Sequence, residues 1–372
     1  MPLLLSESDV RIVLSMDDLI PAMEDALAQF STGGVQQPLR TVLQVGTPPA
    51  FFGVMPASTI DPPALGTKLV TVFGSNTAAG LPTHLATIVL LDPGTGELLA
   101  VMDGRYITEA RTAAVSAASA QRLARDDAGV LAIVGSGVQA RSHLDALARV
   151  RRLTDVRVWS PSRERREQFA RDMHGHVEAP LRATSSVDEA VTGADIIALV
   201  TSSREPVLWS SQVADGTHIC AVGACRPDQR EMDSALVARG RLFVDSRAGA
   251  LAEAGDIVLP IAEGVIDPSA IAGELGEVLA GRATGRTSRA QVTIFKSLGM
   301  AVEDVAAARL AYERAAAQAE GLQGFLDTRQ VARGTSHVAS VRSRIPDPGR
   351  APRPVRRPGA RPPHPRRPSP TT

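Results

Sequence analysis

The sequence predicts an α/β protein in which a doubly wound parallel sheet is joined to a second, mixed α+β domain. Three observations carry that prediction. From residue 130 to about 246, short apolar runs alternate with helix-like stretches, the pattern of parallel strands covered on both faces. Residues 39–104 hold longer segments of strand character, broken by turn residues, that suit an antiparallel sheet. A glycine-rich turn, Gly135-Ser-Gly137, follows the first of the later apolar runs and opens a helix.

Each element has its own reason. In "DDLIPAMEDALAQFS", from 17, Leu19, Met23, Leu27 and Phe30 recur at helical spacing behind acidic residues that suit a helix start. "LRTVLQV", "AFFGVMPAS", "GTKLVTVFG" and "THLATIVLLDPGTGELLAVMDG" are strands, the last a hairpin turning on Asp92-Pro93-Gly94-Thr95-Gly96. "ITEARTAAVSAASAQRLA", from 107, is an alanine-rich helix with Val115 and Leu123 on its apolar side. Strands "VLAIVG", "DVRVWS", "DIIALV", "THICAVG" and "RLFVDS" then alternate with helices. A last helix, "GMAVEDVAAARLAYERAAAQAE", returns to the first domain. The expected division is 1–125 with 302–330 for substrate and dimerisation, 126–301 for a dinucleotide, and a disordered Pro/Arg-rich tail over 335–372.

Composition excludes several classes. The 372 residues are 44% hydrophobic with no net charge, and nine arginines against one aspartate fall in 341–372, so the body is acidic and no nucleic-acid partner is expected. Cys220 and Cys225 fit neither a disulfide framework nor a four-ligand zinc site, so no metal and a reducing cytoplasm are expected. The N-terminus lacks a basic n-region, and no run approaches the roughly eighteen apolar residues of a membrane span.

The strongest motif is "VLAIVGSGVQARSHLDAL", a strand, a glycine turn and a helix in the Rossmann manner. Gly135 permits the turn, Gly137 lets the backbone of Val138 and Gln139 approach a diphosphate, and Ala140 lets helix and strand pack closely. The next strand ends in Ser160 and Ser162 before Arg163, Arg165 and Arg166, with no carboxylate for a ribose 2′-hydroxyl. Hydroxyls with a guanidinium suit a 2′-phosphate, so NADPH is preferred over NADH, with Ser160, Ser162 and Arg163 as its contacts and Arg165 and Arg166 on a solvated helix face. Lys68 is one of only two lysines in a chain with thirty-eight arginines. A desolvated ammonium can release its proton and a guanidinium cannot, which makes Lys68 a candidate for chemistry. Arg40 and Arg111 are candidate anion grips, Arg111 with Thr112 in the first turn of its helix.

"GTKLVTVF", "ITEARTAAVSA", "VGSGVQA", "AVGACRPDQREMD", "ELGEVLAG" and "IFKSLGMAVEDVAAARLAYERA" together resemble, in order over residues 1–325, the ornithine cyclodeaminase/mu-crystallin family. The resemblance implies a homodimer and hydride chemistry at carbon bonded to nitrogen. It makes Lys68 the catalytic lysine, with Arg40 and Arg111 as substrate-binding arginines, and it adds Thr112, Thr201, Val222 and Gly223 to the cofactor site. His84 and Thr112 are further candidates on the substrate side. The cyclodeaminase aspartate is here Cys225, a poor replacement for a carboxylate base. The motifs therefore look like the branch of NADPH-dependent ketimine reductases and pyrroline-2-carboxylate reductases, acting on a small cyclic imine. Ornithine or lysine cyclodeamination, with Asp228 in the aspartate's role, and an NADPH-binding ligand store are the alternatives. Lys296 is read as a cofactor-side or structural residue, with the structural role favoured.

Overall fold

The computed structural model describes residues 2–330, and the tail expected to be disordered lies outside the described residues. Two sheets organise the chain. The first contains β1 (Leu3–Leu5), β2 (Val35–Gln36), β3 (Thr41–Val45), β4 (Ala50–Ile60), β5 (Pro63–Val72), β6 (His84–Leu91) and β7 (Leu98–Asp103). Strands β4 to β7 are an antiparallel meander, β1 joins parallel to β7, and β2 and β3 both pair with β4. At the β6–β7 turn, Asp92 Oδ1 accepts from the N–H groups of Gly94 and Thr95 at 2.9 and 2.8 Å, as its sequence predicts.

Register fixes which face is buried. Met55, Lys68, Ile88 and Met102 stand side by side across β4, β5, β6 and β7. Three are core residues, and they pack with the helices Met16–Thr32, Arg105–Leu123 and Ala301–Gln330. Lys68 is thus a lysine in an apolar row. The opposite face and the β3 edge leave Leu43 and Leu85 exposed, at 55% and 40%.

The second sheet is wholly parallel. Its strands are β8 (Val130–Val134), β9 (Asp155–Trp159), β10 (Leu181–Ala183), β11 (Ile196–Leu199), β12 (His218–Ala221), β13 (Arg241–Val244), β14 (Ile271–Glu274) and β15 (Thr293–Lys296), in the order β10-β9-β8-β11-β12-β15-β13-β14. The chain reverses its direction of growth between β8 and β11, which opens a crevice beyond their carboxyl ends. The sequence reading missed β1, β2, β10, β14 and β15. All are two to four residues long. β1, β2 and β10 have too few side chains to display a period; β14 and β15 match β11, β12 and β13 in length, but β15 takes its place between β12 and β13 through pairing that sequence order does not announce.

The helix Arg105–Leu123 lies against both halves, and fourteen of its nineteen residues are buried. It therefore has no single apolar side, contrary to the expectation from Val115 and Leu123: its alanines are small enough to be packed from every direction. Its serines face a buried polar network. His143 Nδ1 donates to Gln139 O at 2.8 Å and its Nε2 accepts from Ser116 Oγ at 2.9 Å. His218 Nε2 lies 3.1 Å from Ser119 Oγ, and its Nδ1 lies 2.9 Å from Thr293 Oγ1. Among the described residues no helix is long and apolar enough to cross a membrane.

Burial pushes His143 down to about 4 and His218 down to about 3, so both are neutral in the fold. The unfolded chain binds protons on these histidines below about pH 6.5, whereas the folded chain does not, so stability falls as pH drops from there towards 4. The denaturation midpoint is expected to fall between pH 7 and pH 5, and the slope to shrink in a His218→Asn variant. An unchanged slope would place the acid sensitivity elsewhere.

Candidate active site

β5 carries Lys68 into the buried core, next to a cleft lined by Arg40, Met55, Asp245 and Gly299. The lysine is 2% exposed, beside Met55, whose side chain lines the cleft. Nothing apolar in that row can hold an ammonium. The counter-charge comes from the helix Ala301–Gln330: Asp304 Oδ2 lies 2.6 Å from Lys68 Nζ, and Asp304 Oδ1 accepts from Arg111 Nε at 3.0 Å. Arg111 Nη1 also donates to Glu303 Oε2 at 2.6 Å. The result is one buried cluster of two cations and two acids. Arg111 is the seventh residue of its helix, not a first-turn residue, so free N–H groups do not assist it; Glu303 and Asp304 do.

The electrostatics follow from burial. Desolvation lowers Lys68, Asp304 opposes it, Arg111 adds to it, and the ammonium settles at about 8. Burial alone would raise Asp304, but Arg111 and Lys68 outweigh it and hold the carboxyl below its ordinary range. Glu303 is pushed up by burial to about 7. His84, first in β6, is lowered to about 4 by burial and by the charges of Lys68 and Arg111, so it is a neutral neighbour of the cluster. Thr112 is buried, with its hydroxyl donating to Thr108 O at 2.7 Å.

Arg40 stands across the cleft. Its Nε lies 2.9 Å from Glu253 Oε2, and its Nη2 donates to Leu298 O and Gly299 O at 3.2 and 3.3 Å. That turn is held from below by buried Asp245, whose Oδ2 accepts from Leu298 N and Gly299 N at 2.6 and 2.7 Å. Gly299 has φ +80°, and any Cβ there would collide with the Arg111 guanidinium. Sequence reasoning missed Asp304, Glu303 and Asp245. The pair Glu303-Asp304 opens a helix, where acids are ordinary, so nothing local distinguishes them from dipole partners.

The second crevice begins at Gly135, which must be glycine for two reasons: its φ is +127°, and a Cβ at this position would lie 2.8 Å from Val200 O. Gly137 precedes the helix Val138–Val150 without a side-chain cap, leaving the N–H groups of the first turn, Val138 and Gln139 among them, open. At the end of β9, Ser136 Oγ donates to Ser160 Oγ at 2.9 Å, and Ser162 caps the next helix through Arg165 N. Arg163 points outward, its side chain 80% exposed and paired with Glu167. Arg166 instead turns back, donating from Nη1 to Ser160 O at 2.8 Å. Arg166, expected on the solvated face, is thus the arginine bonded to the end of β9, while Arg163 pairs with Glu167 on its own helix. Thr201, Val222 and Gly223 follow the carboxyl ends of β11 and β12, beside the same crevice.

Cys225 Sγ donates to Val222 O at 3.1 Å, and burial raises its thiol pKa. Asp228 is exposed and lies 3.4 Å from Arg204 and 3.7 Å from Arg226. Lys296 is fully buried, 3.1 Å from Asp256. Among the described residues no group of three or more His, Cys, Asp or Glu is placed to hold a metal ion.

The model of the ornithine cyclodeaminase/mu-crystallin family matches residues 1–319. The chain belongs to that family. The ketimine reductase mu-crystallin of Mus musculus is 46% identical over 316 residues, covering 84% of this chain and 97% of the relative. Among solved structures, the Delta(1)-pyrroline-2-carboxylate reductase of Thermococcus litoralis, in complex with NADH and L-proline, is similar with a TM-score of 0.83 and 40% identity over 85% of this chain and 98% of its own. An archaeal alanine dehydrogenase dimer with bound NAD has a TM-score of 0.81 and 32% identity, over 85% and 97%.

Because Asp304 raises the Lys68 pKa, an Asp304→Asn variant is expected to move the alkaline limb of the activity profile from near pH 8 to lower pH. Lys68→Met should lower turnover by at least about 100-fold while leaving cofactor binding nearly unchanged. Cofactor titration by fluorescence and initial rates from pH 6 to 10 check both. Unchanged turnover in the methionine variant removes Lys68 from the chemistry.

Proposed function

We propose that the protein uses NAD(P)H to reduce the C=N bond of a cyclic imine carboxylate, of the pyrroline-2-carboxylate or piperideine-2-carboxylate kind, to the cyclic amino acid. The observation that carries this reading is the buried Lys68–Asp304–Arg111 cluster, in a chain that has the thiol of Cys225 where the cyclodeaminases have an aspartate. The cluster supplies a cationic site with a transferable proton, and the thiol, neutral and donating to Val222 O, supplies no base to ready an amine for ring closure.

The residues divide the work. Arg111, with Nε and Nη1 committed to acids, offers its remaining edge to the substrate carboxylate; Arg40 closes on it from the other wall. Fixing the carboxylate at two points fixes the imine carbon, and such positioning is worth several kcal/mol of barrier. Lys68, held charged by Asp304, keeps a proton at the ring nitrogen. His84 and Thr112 border this side. The open first turn at Gly137, where a Cβ would meet nothing within 4 Å, fits a dinucleotide diphosphate, with Gly135, Val138 and Gln139 around it and Thr201, Val222 and Gly223 further along. The bound cofactor supplies the hydride.

NADPH is the preferred cofactor in this reading, because Ser160, Ser162 and Arg166 surround the end of β9 and no carboxylate repels a 2′-phosphate there. The substrate part is 1–125 with 302–330 and the cofactor part 126–301, following the two sheets. The uncovered strand face with Leu43 and Leu85 suits a homodimer.

The test is NADPH oxidation with pyrroline-2-carboxylate, run beside ornithine plus NAD⁺. Rapid NADPH loss with no ammonia from ornithine is expected; ammonia and proline from ornithine would make the protein a cyclodeaminase. Arg166→Ala should raise KM for NADPH at least about fivefold and leave that for NADH nearly unchanged. Equal effects on both would withdraw the 2′-phosphate assignment. Light scattering should give twice the chain mass, falling to one chain mass in a Leu43→Glu, Leu85→Glu double variant.

A further inference from the structure

One buried acid lies outside all of these roles. Glu231 is fully buried on the segment after β12, yet both its oxygens reach into the cofactor crevice's wall: Oε1 accepts from Thr201 N at 2.6 Å and Oε2 accepts from Gly223 N at 2.7 Å. Those two amides belong to the turns that follow β11 and β12. They are adjacent strands of the sheet, but the ladder between them ends before either residue, so the carboxylate continues the pairing where the backbone no longer does. The turns also touch directly, since a Cβ on Gly223 would collide with Thr201 O.

Glu231 is itself fixed. Its backbone N–H donates to Asp256 Oδ1 at 2.7 Å, and its carbonyl accepts from Val207 N and Leu208 N at 2.8 and 2.9 Å. Asp256 in turn pairs with Lys296 at the end of β15, the next strand over. A chain of charge therefore runs under the carboxyl ends of β11, β12 and β15, and it terminates in two backbone amides at the crevice.

We propose that Glu231 is a positioning residue for the nicotinamide half of the cofactor: by bridging Thr201 N–H and Gly223 N–H it sets the spacing of the two turns against which that half lies. The adenosine half, at Gly135 and Ser160, does not depend on it. The proposal rests on the reading of the crevice as a dinucleotide site, and that reading has its own control, binding of NADPH and ADP-ribose to the unaltered protein.

Glu231→Gln keeps the size of the side chain but presents an NH₂ to one of the two amides, so the bridge cannot close. Glu231→Asp keeps the charge facing Lys296 and Asp256 but is one methylene too short to reach both amides. In both variants, calorimetric titration should show NADPH binding weakened at least about tenfold, the loss of one charged hydrogen bond, with ADP-ribose binding within about twofold of normal. At saturating cofactor the KM for the imine should hold while kcat falls. ADP-ribose binding that is lost together with NADPH binding in both variants would make Glu231 a residue of general stability. Full retention of both would show that the bridge positions nothing. If the unaltered protein binds neither ligand, the dinucleotide reading itself fails, separately from the bridge.

Discussion

Asp304 is the residue on which the arrangement turns. Its two oxygens join Lys68, from the first sheet, to Arg111, from the long central helix, and its own helix is the returning C-terminal one. Three elements far apart in sequence are thereby tied through one carboxylate. The tie is electrostatically demanding, because two cations in a desolvated row would repel without it and removing one partner of such a group leaves buried charge uncompensated. It also sets the chemistry: the same desolvation that makes the pair costly brings the Lys68 ammonium down to a value where it can exchange a proton near neutrality.

The two acids of the cluster are not equivalent. Glu303 is pushed up by burial although Arg111 donates to it, so desolvation and pairing oppose each other at this carboxyl and the second acid holds its cation less firmly than Asp304 does. The turn Leu298–Gly299 connects this to Arg40. Asp245 fixes the turn's amides and Arg40 takes its carbonyls, so the wall opposite Lys68 is built from main chain clamped at both ends. A rigid wall of that kind serves hydride chemistry, in which small displacements of the reacting carbon are expensive.

Much of this is legible in the residues. The glycine turn, the run of parallel strands and the hairpin at Asp92 depend on local patterns, and local patterns are what a sequence displays. Lys68 stands out because lysine is rare in this chain. The family resemblance turns Arg40 and Arg111 from candidate anion grips into expected substrate-binding residues. Asp304 and Glu303 escape because their importance is a matter of what lies opposite, and an acidic pair at a helix start looks the same whether it faces solvent or a buried lysine. Which of Arg163 and Arg166 turns back to the strand end is hidden for a related reason: both lie in one helical turn, and the partner each side chain meets decides it. The missed strands are invisible because pairing across the sheet, not their own side chains, makes them strands.

The central helix has a consequence for how this enzyme can change. Its alanines and serines are packed from all sides, so there is no room at positions 113, 114, 117 or 118 for a larger residue without displacing a sheet. Arg111 is carried on a shaft that cannot be rebuilt. Change is more easily accommodated at the cleft's other margin, where Gln37, Arg40 and Glu253 border space instead of packed neighbours. Divergence is channelled to the rim, and the placement of Arg111 is the feature this packing leaves least free to change.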